Sequence, residues 1–516
     1  MIDAMPGLQH RYATELAPLC IPWRAAPVPQ PALVVFNDAL VAELGWPAER
    51  LRGPEGAALL CGQGWPPEVR TVAQGYAGHQ FGGYVPRLGD GRALLLGEVL
   101  DRHGRLRDVA LKGSGRTPFA RGGDGKAALG PMLREYLMSE AMHALGAPTS
   151  RSLAVVATGE TIWREVDGLP QRVPGAVLVR VAASHIRVGT FQWVAASGEV
   201  ELLRRLADHT LQRHDPGPHE QPYVALLEGA CERQAALVAQ WMGLGFIHGV
   251  MNTDNMTLSG ETIDYGPCAF MEAFDPQTVF SSIDHGGRYA WGNQPRMAQW
   301  NLARLAEALL PLLHPDEEAA LALAQAAIER FGARYRHHWL AIMRAKLGWR
   351  AGEAPPTDAA LDGADQALID DWLHLLHAQA VDWTLAHRRL SDLAAALDTQ
   401  PVRASAAAAQ PLAALFADVA ALDAWLARWQ AHLQRNAHGS PTDWADAMRC
   451  VNPIYIPRNQ RVEEALRAAS DEGDLAPFEA LLAVVQQPFD ERPGLERYAE
   501  PADPMTARHY RTFCGT

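Results

Sequence analysis

The stretch GFIHGVMNTDNMTLSGETIDYG, residues 245–266, sets His248, Asp254, Asn255 and Asp264 within a short interval. Asn255 follows His248 by seven residues, and Asp264-Tyr265-Gly266 closes the run. An Asn and an Asp are the usual side-chain oxygen ligands for magnesium beside phosphates. The plain alternative is a hairpin with polar turns, with Ser259-Gly260 at its tip.

Working outward, the same order of elements occurs in protein kinases. There a H-R-D-x-x-x-x-N loop precedes a D-F-G segment. Upstream, Val109-Ala110-Leu111-Lys112 ends a strand-like run, close to the kinase V-A-I-K. Twenty-three residues later, Glu135 sits inside the helical pattern LREYLMSEAMHAL (133–145), and Gly146 supplies a stop. In kinases that Lys pairs with a helical Glu and grips nucleotide phosphates. Alone, Lys112 reads as a surface lysine at a strand end. One departure is decisive for the chemistry: the place of the kinase catalytic Asp, two after His248, holds Val250. Valine cannot accept a proton. Asp254 is the nearest substitute carboxylate, so the reading is either a silent nucleotide binder or a different transfer with a different base. A conventional phosphotransferase is disfavoured.

Three glycine-rich basic segments lie close together: LGDGRA (88–93), KGSGRT (112–117) and GGDGKA (122–127). None is a standard phosphate fingerprint. Ala127 replaces the Ser or Thr of a P-loop, and the first two lack the third Gly of a dinucleotide motif. Each alone reads as a glycine turn. Together they can offer free backbone N–H groups to phosphate oxygens.

Around these motifs, ALLLGEVL (93–100) and RDVALKG (107–113) form an expected hairpin, and SLAVVAT (152–158) and GAVLVRVA (175–182) read as further strands. Residues 1–60 look like an irregular arm with short helices. After residue 182 the chain reads as helical, at 231–244, across 298–347, and from Leu412 to Leu433, where apolar residues keep helical spacing. WRAGEAPPTD (349–358) is the linker candidate. The 516 residues are 48% hydrophobic and 20% charged, ample for a large core of several units. The net charge of −13 argues against general binding to nucleic acid or anionic membranes. Six widely spaced Cys with no CxxC indicate neither a zinc module nor a disulfide scaffold. The N-terminus does not read as a signal peptide, and no apolar run approaches a membrane helix. A cytoplasmic protein is expected. His337-His338 lacks a third metal ligand nearby, RYAWGNQP (288–295) suits an ordered loop, and the 15 Trp read as core and interface residues.

These segments, with YAGHQFGGYVPRLGDGRA (76–93), REYLMSEAMHALGAPTSRSLA (134–154), VLVRVAASHIRVGTFQ (177–192) and NPIYIPRNQRVEEAL (452–466), closely resemble the selenoprotein O (SelO, YdiU-type) family over most of the chain. The resemblance implies an α+β, protein-kinase-like two-lobed fold. The expected units are an N-terminal extension (1–75), an N-lobe with glycine-rich loops (76–182), a mainly helical C-lobe (183–348) and a helical C-terminal region (349–516). It implies Mg2+-dependent transfer of AMP from ATP, bound in a flipped orientation, to Ser, Thr or Tyr hydroxyls of proteins. Transfer of UMP from UTP with Mn2+ and a silent pseudokinase scaffold are the alternatives.

Carried over by motif, Gly89, Gly91 and Arg92 contact nucleotide, as do Asp124 and Gly125. Lys112 binds phosphate and Glu135 is its ion-pair partner. Arg180 and Arg187 belong to the phosphate pocket, Asp254 is the proton acceptor, and Asn255 and Asp264 are the metal ligands. No departure from the family pattern occurs at these positions. The ending Phe-Cys-Gly-Thr puts Cys514 where many members carry a selenocysteine or cysteine. Oxidation linking Cys514 to a cysteine near the site, with Cys268 close to Asp264 in sequence, is the corresponding expectation.

Overall fold

A computed structural model describes residues 7–166, 168–349, 359–397, 403 and 405–513. The first part of the chain builds an antiparallel sheet of eight strands, and the rest is mainly helical. The strands are β1 (Cys20–Pro22), β2 (Ala32–Phe36), β3 (Val72–Gln74), β4 (Gly78–Gln80), β5 (Gly83–Val85), β6 (Ala93–Leu100), β7 (Leu106–Lys112), β8 (Ala127–Ala128), β9 (Arg151–Val166) and β10 (Leu169–Ala182). The sheet runs β1-β3-β6-β7-β10-β9-β2, with β8 added to β10, while β4 and β5 pair apart as a small hairpin.

The expected pairing of 93–100 with 107–113 is present, with Ala93 opposite Lys112. The two later strands are longer than the apolar runs alone suggest and form one long hairpin. The reading of residues 1–60 as an irregular arm needs correction. Its short helices exist, but β1 and β2 supply both edges of the sheet. Edge strands of three and five residues, one ending in Pro22, carry little periodic signal.

Strand alternation decides which side chains reach the site. In β7, Val109 and Leu111 point into one core with Leu40, Val41 and Trp46 of the N-terminal helices. Val177, Val179 and Val181 of β10 join them. The opposite parity faces the helix Leu129–Ala144, where Ala110, Ala176 and Leu178 meet Met132, Leu133, Tyr136 and Leu137. Lys112 and Arg180 share that parity, so both aim at the helix that carries Glu135.

The helix Pro222–Leu244 packs on Gln294–Leu313 and Glu317–Leu347. It ends at Gly245 in the left-handed conformation, φ +71, which turns the chain into β11 (Phe246–Ile247). β11 pairs antiparallel with β12 (Ala269–Phe270). This short ladder closes residues 248–268 into one loop, so His248, Asp254, Asn255 and Asp264 are gathered by its two ends. The helical stretch expected at 298–347 is two helices, parted where Asp316 caps Ala319. The stretch 412–433 is also interrupted: helix Gln410–Ala413 ends, and Asp418 caps a new one, Val419–Asn436. The linker candidate lies, apart from Trp349, outside the described residues. Trp372, Trp383, Trp425 and Trp429 are buried in the helical core. No helix among the described residues is long and apolar enough to cross a membrane.

Candidate active site

Four charged side chains form a closed square. Lys112 Nζ donates to Glu135 Oε2 at 2.6 Å and to Asp264 Oδ1 at 2.8 Å. Arg180 donates from Nε to Glu135 Oε1 at 3.0 Å and from Nη2 to Asp264 Oδ1 at 2.7 Å. Two cations thus balance two carboxylates in a setting where an unpaired charge would be costly. Burial pushes the Glu135 carboxyl up, but Arg180 and Lys112 outweigh it and hold it below the ordinary range. For Asp264 burial also raises, and Lys112, Arg180 and Arg187 drive it well below. Both cations fall on Oδ1 of Asp264. Its Oδ2 accepts no hydrogen bond among the described residues. Asp264 itself takes φ 64, a left-handed backbone uncommon for a non-glycine residue.

Arg187 begins the helix Val188–Ser197 and stacks over Tyr76 at 4.3 Å. Its Nε and Nη1 are buried without an acceptor, and Asp90 lies 3.6 Å away. A buried guanidinium with unpaired N–H groups suits an anionic ligand.

Asp254 stands on a short turn, Thr253–Asn255. Its Oδ2 accepts from Gln80 Nε2 at 3.1 Å, and its Oδ1 is buried with no partner. Burial raises its carboxyl to about 6, only partly offset by the Gln80 bond. Such a carboxylate is ionised near neutral pH yet basic enough to take a proton. Asn255 donates from Nδ2 to the Val250 carbonyl at 3.1 Å, which turns its Oδ1 the other way. Val250 is buried and brings no polar atom from its side chain.

The glycine-rich segments stack as loops beside Lys112. Gly113 N donates to the Arg92 carbonyl at 2.7 Å, and Gly115 N to the Gly125 carbonyl at 3.0 Å. A side chain at Gly125 would strike the backbone of Gly115 and Arg116 at 2.2 to 2.3 Å, and its φ is +70. Gly89 and Gly91 lie against Phe119 and the backbone after it. Asp124 is exposed and engages Arg164 through both oxygens at 2.9 Å, so it is not joined to the Lys112 square.

Several further residues shape the site without a motif of their own. Gln294 accepts from His248 N at 3.0 Å and donates to the Phe246 carbonyl at 2.9 Å. His248 itself bonds the Ile263 carbonyl at 2.9 Å, fixing the residue before Asp264. Gln192 accepts from Thr253 at 2.6 Å and contacts His79 at 2.8 Å. The segment 288–295 is not all loop: Trp291–Asn293 is a 3-10 turn and Gln294 begins the helix Gln294–Leu313, while Tyr289 just before them donates to Asn252 at 2.6 Å. Their only sequence signal is membership in polar segments near the motifs.

The cysteines among the described residues are free. Cys268 is buried, and burial pushes its thiol up to about 12. Cys514 lies outside the described residues. Nearby, Thr512 donates from Oγ1 to the Pro267 carbonyl at 2.7 Å.

Comparison with known proteins identifies the family. The family model described as "Protein adenylyltransferase SelO" matches residues 9–486. A protein of Mycolicibacterium paratuberculosis named "Protein nucleotidyltransferase YdiU" is 57% identical over 512 residues, covering 99% of this chain and 98% of its own. One of Cereibacter sphaeroides with the same name is 55% identical over 507 residues, covering 98% of each. With Lys112, Glu135 and Asp264 joined directly, and Asp254 and Asn255 on the same loop as Asp264, the chain belongs to the SelO family of protein adenylyltransferases.

Proposed function

We propose that this nucleotidyltransferase has a protein-kinase-like two-lobed fold and moves AMP from ATP to Ser, Thr or Tyr hydroxyls of other proteins. The observation that carries the reading is the pairing of a valine at the kinase base position with a buried, partner-free carboxylate oxygen on Asp254. The Lys112–Glu135 pair is the one a kinase uses, but the base is elsewhere. The resemblance to the SelO family adds a nucleotide lying flipped, with its α-phosphorus toward the acceptor.

The hard oxygens of Asn255 and Asp264 fit magnesium or manganese, because Asp264 Oδ2 accepts no hydrogen bond among the described residues. When bound, the divalent ion would neutralise charge on the phosphoryl group under attack. The chain's own residues do the rest. Lys112, Arg180 and Arg187 hold the phosphates and stabilise the charge that grows on the leaving pyrophosphate. Asp254 orients the acceptor hydroxyl and its carboxylate takes the proton. The hydroxyl oxygen bonds to the α-phosphorus as the bond to the bridging oxygen breaks, and pyrophosphate departs. Gly89, Gly91, Arg92, Asp124 and Gly125 line the nucleotide side in this reading.

The test is incubation of purified protein and magnesium with ATP labelled separately at the α- and γ-phosphate, for wild type and Asp264→Ala. Protein-bound α-label lost in the variant is the expected result. Label from the γ-phosphate alone overturns the reading and makes the protein a kinase.

A further inference from the structure

The hairpin β4–β5 is tied residue by residue to the loop that bears Asp254. His79 N donates to Thr253 Oγ1 at 2.7 Å, Gln80 Nε2 to Asp254 Oδ2 at 3.1 Å, and Phe81 N to Asn252 Oδ1 at 3.1 Å. A side chain at Gly78 would come within 3.0 Å of Asp254 Oδ1, so the strand lies directly against the carboxylate. Whatever approaches Asp254 from solvent on this side passes this hairpin.

Its outer surface is aromatic. Phe81 and Tyr84 are 37% and 41% exposed. Phe81 at φ 51 and Gly82 at φ +88 are the two central residues of the hairpin turn, which requires positive φ at both. Behind it, Tyr289 meets the Phe81 ring at 5.1 Å, and Trp300 meets His79 at 5.3 Å. Arg288 lies over Trp300 at 4.8 Å and beside the hairpin turn, and its guanidinium pairs with no carboxylate among the described residues. Neighbouring Arg304, by contrast, is paired with Glu307 at 2.6 Å.

We propose that the β4–β5 hairpin is the lip that binds the acceptor: an extended peptide segment that seats an apolar or aromatic side chain on Phe81 and Tyr84 and an acidic side chain on Arg288, delivering its hydroxyl to Asp254. This rests on the adenylyl-transfer reading and names the substrate class for the same site. Aromatic residues and arginine are enriched among the residues that carry interface binding energy, and Arg288 is held by ring contacts rather than by a carboxylate among the described residues. Because Gln80 belongs to both the hairpin and the Asp254 contact, acceptor docking and base position are held by one element.

The test uses the full chain, α-labelled ATP with magnesium, and two synthetic serine peptides that differ only in flanking residues, Glu in one and Lys in the other. The wild type is expected to show a KM at least about tenfold lower for the Glu peptide. Arg288→Glu should abolish or invert that preference. Phe81→Gly, which also relieves the left-handed backbone, should raise KM for both peptides about fivefold or more. Its Kd for ATP should stay unchanged, and any fall in kcat should be smaller than the rise in KM. Equal KM values for the two peptides in wild type, a preference unmoved by Arg288→Glu, or a fall in kcat without a rise in KM for Phe81→Gly each overturn the proposal alone. So does label on folded proteins but on neither peptide. Absence of α-label from every protein and peptide overturns the adenylyl-transfer reading and this proposal with it.

Discussion

Arg134 and Glu135 are adjacent on one helix and serve opposite sides of the site. Glu135 reaches the cations on the sheet, while Arg134 donates to the carbonyls of Gly266 at 3.2 Å and Cys268 at 2.7 Å. Arg134 also meets Glu463 at 2.9 Å and Tyr510 at 3.2 Å from the C-terminal region. One helix turn therefore ties the sheet, the segment after Asp264 and the end of the chain together. Arg134→Ala leaves two backbone carbonyls of that segment without their donor. The expected loss is about 2–3 kcal/mol in a urea unfolding titration. Tyr510→Phe, which keeps the ring, should cost only ~1 kcal/mol. Equal effects from the two would mean that the link to Tyr510 outweighs the carbonyl contacts.

The charge square predicts a pH signature. Glu135 has its folded-state carboxyl held below the ordinary value by Arg180 and Lys112 against burial. A depressed acid contributes stability above its unfolded value, near ~4.3, and that contribution is lost as pH falls through the folded value. Glu135→Gln should therefore be less stable at pH 7 by roughly 3–5 kcal/mol, since two cations then face one carboxylate. Its stability should also fall less steeply on acidification below pH ~4. Adding Lys112→Met restores the balance of charge, and much of the stability should return without nucleotide binding. Chemical denaturation from pH 3 to 8, with an ATP-binding titration, reads both outcomes.

Lys112, Glu135, Asn255 and Asp264 are legible in the sequence because each sits in a short motif whose spacing follows from local geometry. The role of Arg180 against Glu135 is not a matter of spacing. It depends on the register that sets Leu178 opposite Lys112 and so puts Arg180 on the helix side. Gln80 and Asp254 are 174 residues apart, and no local pattern announces their contact. The edge strands β1 and β2 escape a sequence reading because three- and five-residue runs give period-2 alternation too little length. The helix break before Val419 is masked because Leu412, Leu415 and Phe416 keep an apolar rhythm while Asp418 caps the next helix.

Two glycines of one segment separate packing from conformation. Gly122 has φ +93, and a Cβ added there would meet nothing within 4 Å. Gly122→Ala therefore meets only the backbone penalty, about 1 kcal/mol. Gly125 has φ +70 and also abuts the Gly115–Arg116 backbone. Gly125→Ala should cost at least ~3 kcal/mol and push the 112–117 loop out of place. Thermal melts with and without ATP measure the contrast. Only the second variant should lose the ATP-induced rise in Tm.

Asp254 sits in a destabilising setting, and a single substitution separates that setting from its proposed role as base. Its carboxyl is raised by burial from 3.8 to about 6. A raised acid favours the folded state while it is protonated, and that benefit is lost as pH rises through about 6. Ionisation at pH 7 thus weakens the fold, by a shift worth on the order of 1–3 kcal/mol. In its proposed role as base, however, it works only when ionised. Transfer by the wild type should therefore rise with pH to a half-maximum at about 6. Asp254→Asn should lower the rate by ~10²–10⁴-fold. It should still bind ATP and should unfold at a higher temperature than wild type at pH 7. The gap should narrow at pH 5, where the wild-type carboxyl holds its proton. A variant that loses activity and melts lower at both pH values would mean that Asp254 is a structural carboxylate, and the proton acceptor must then be sought elsewhere.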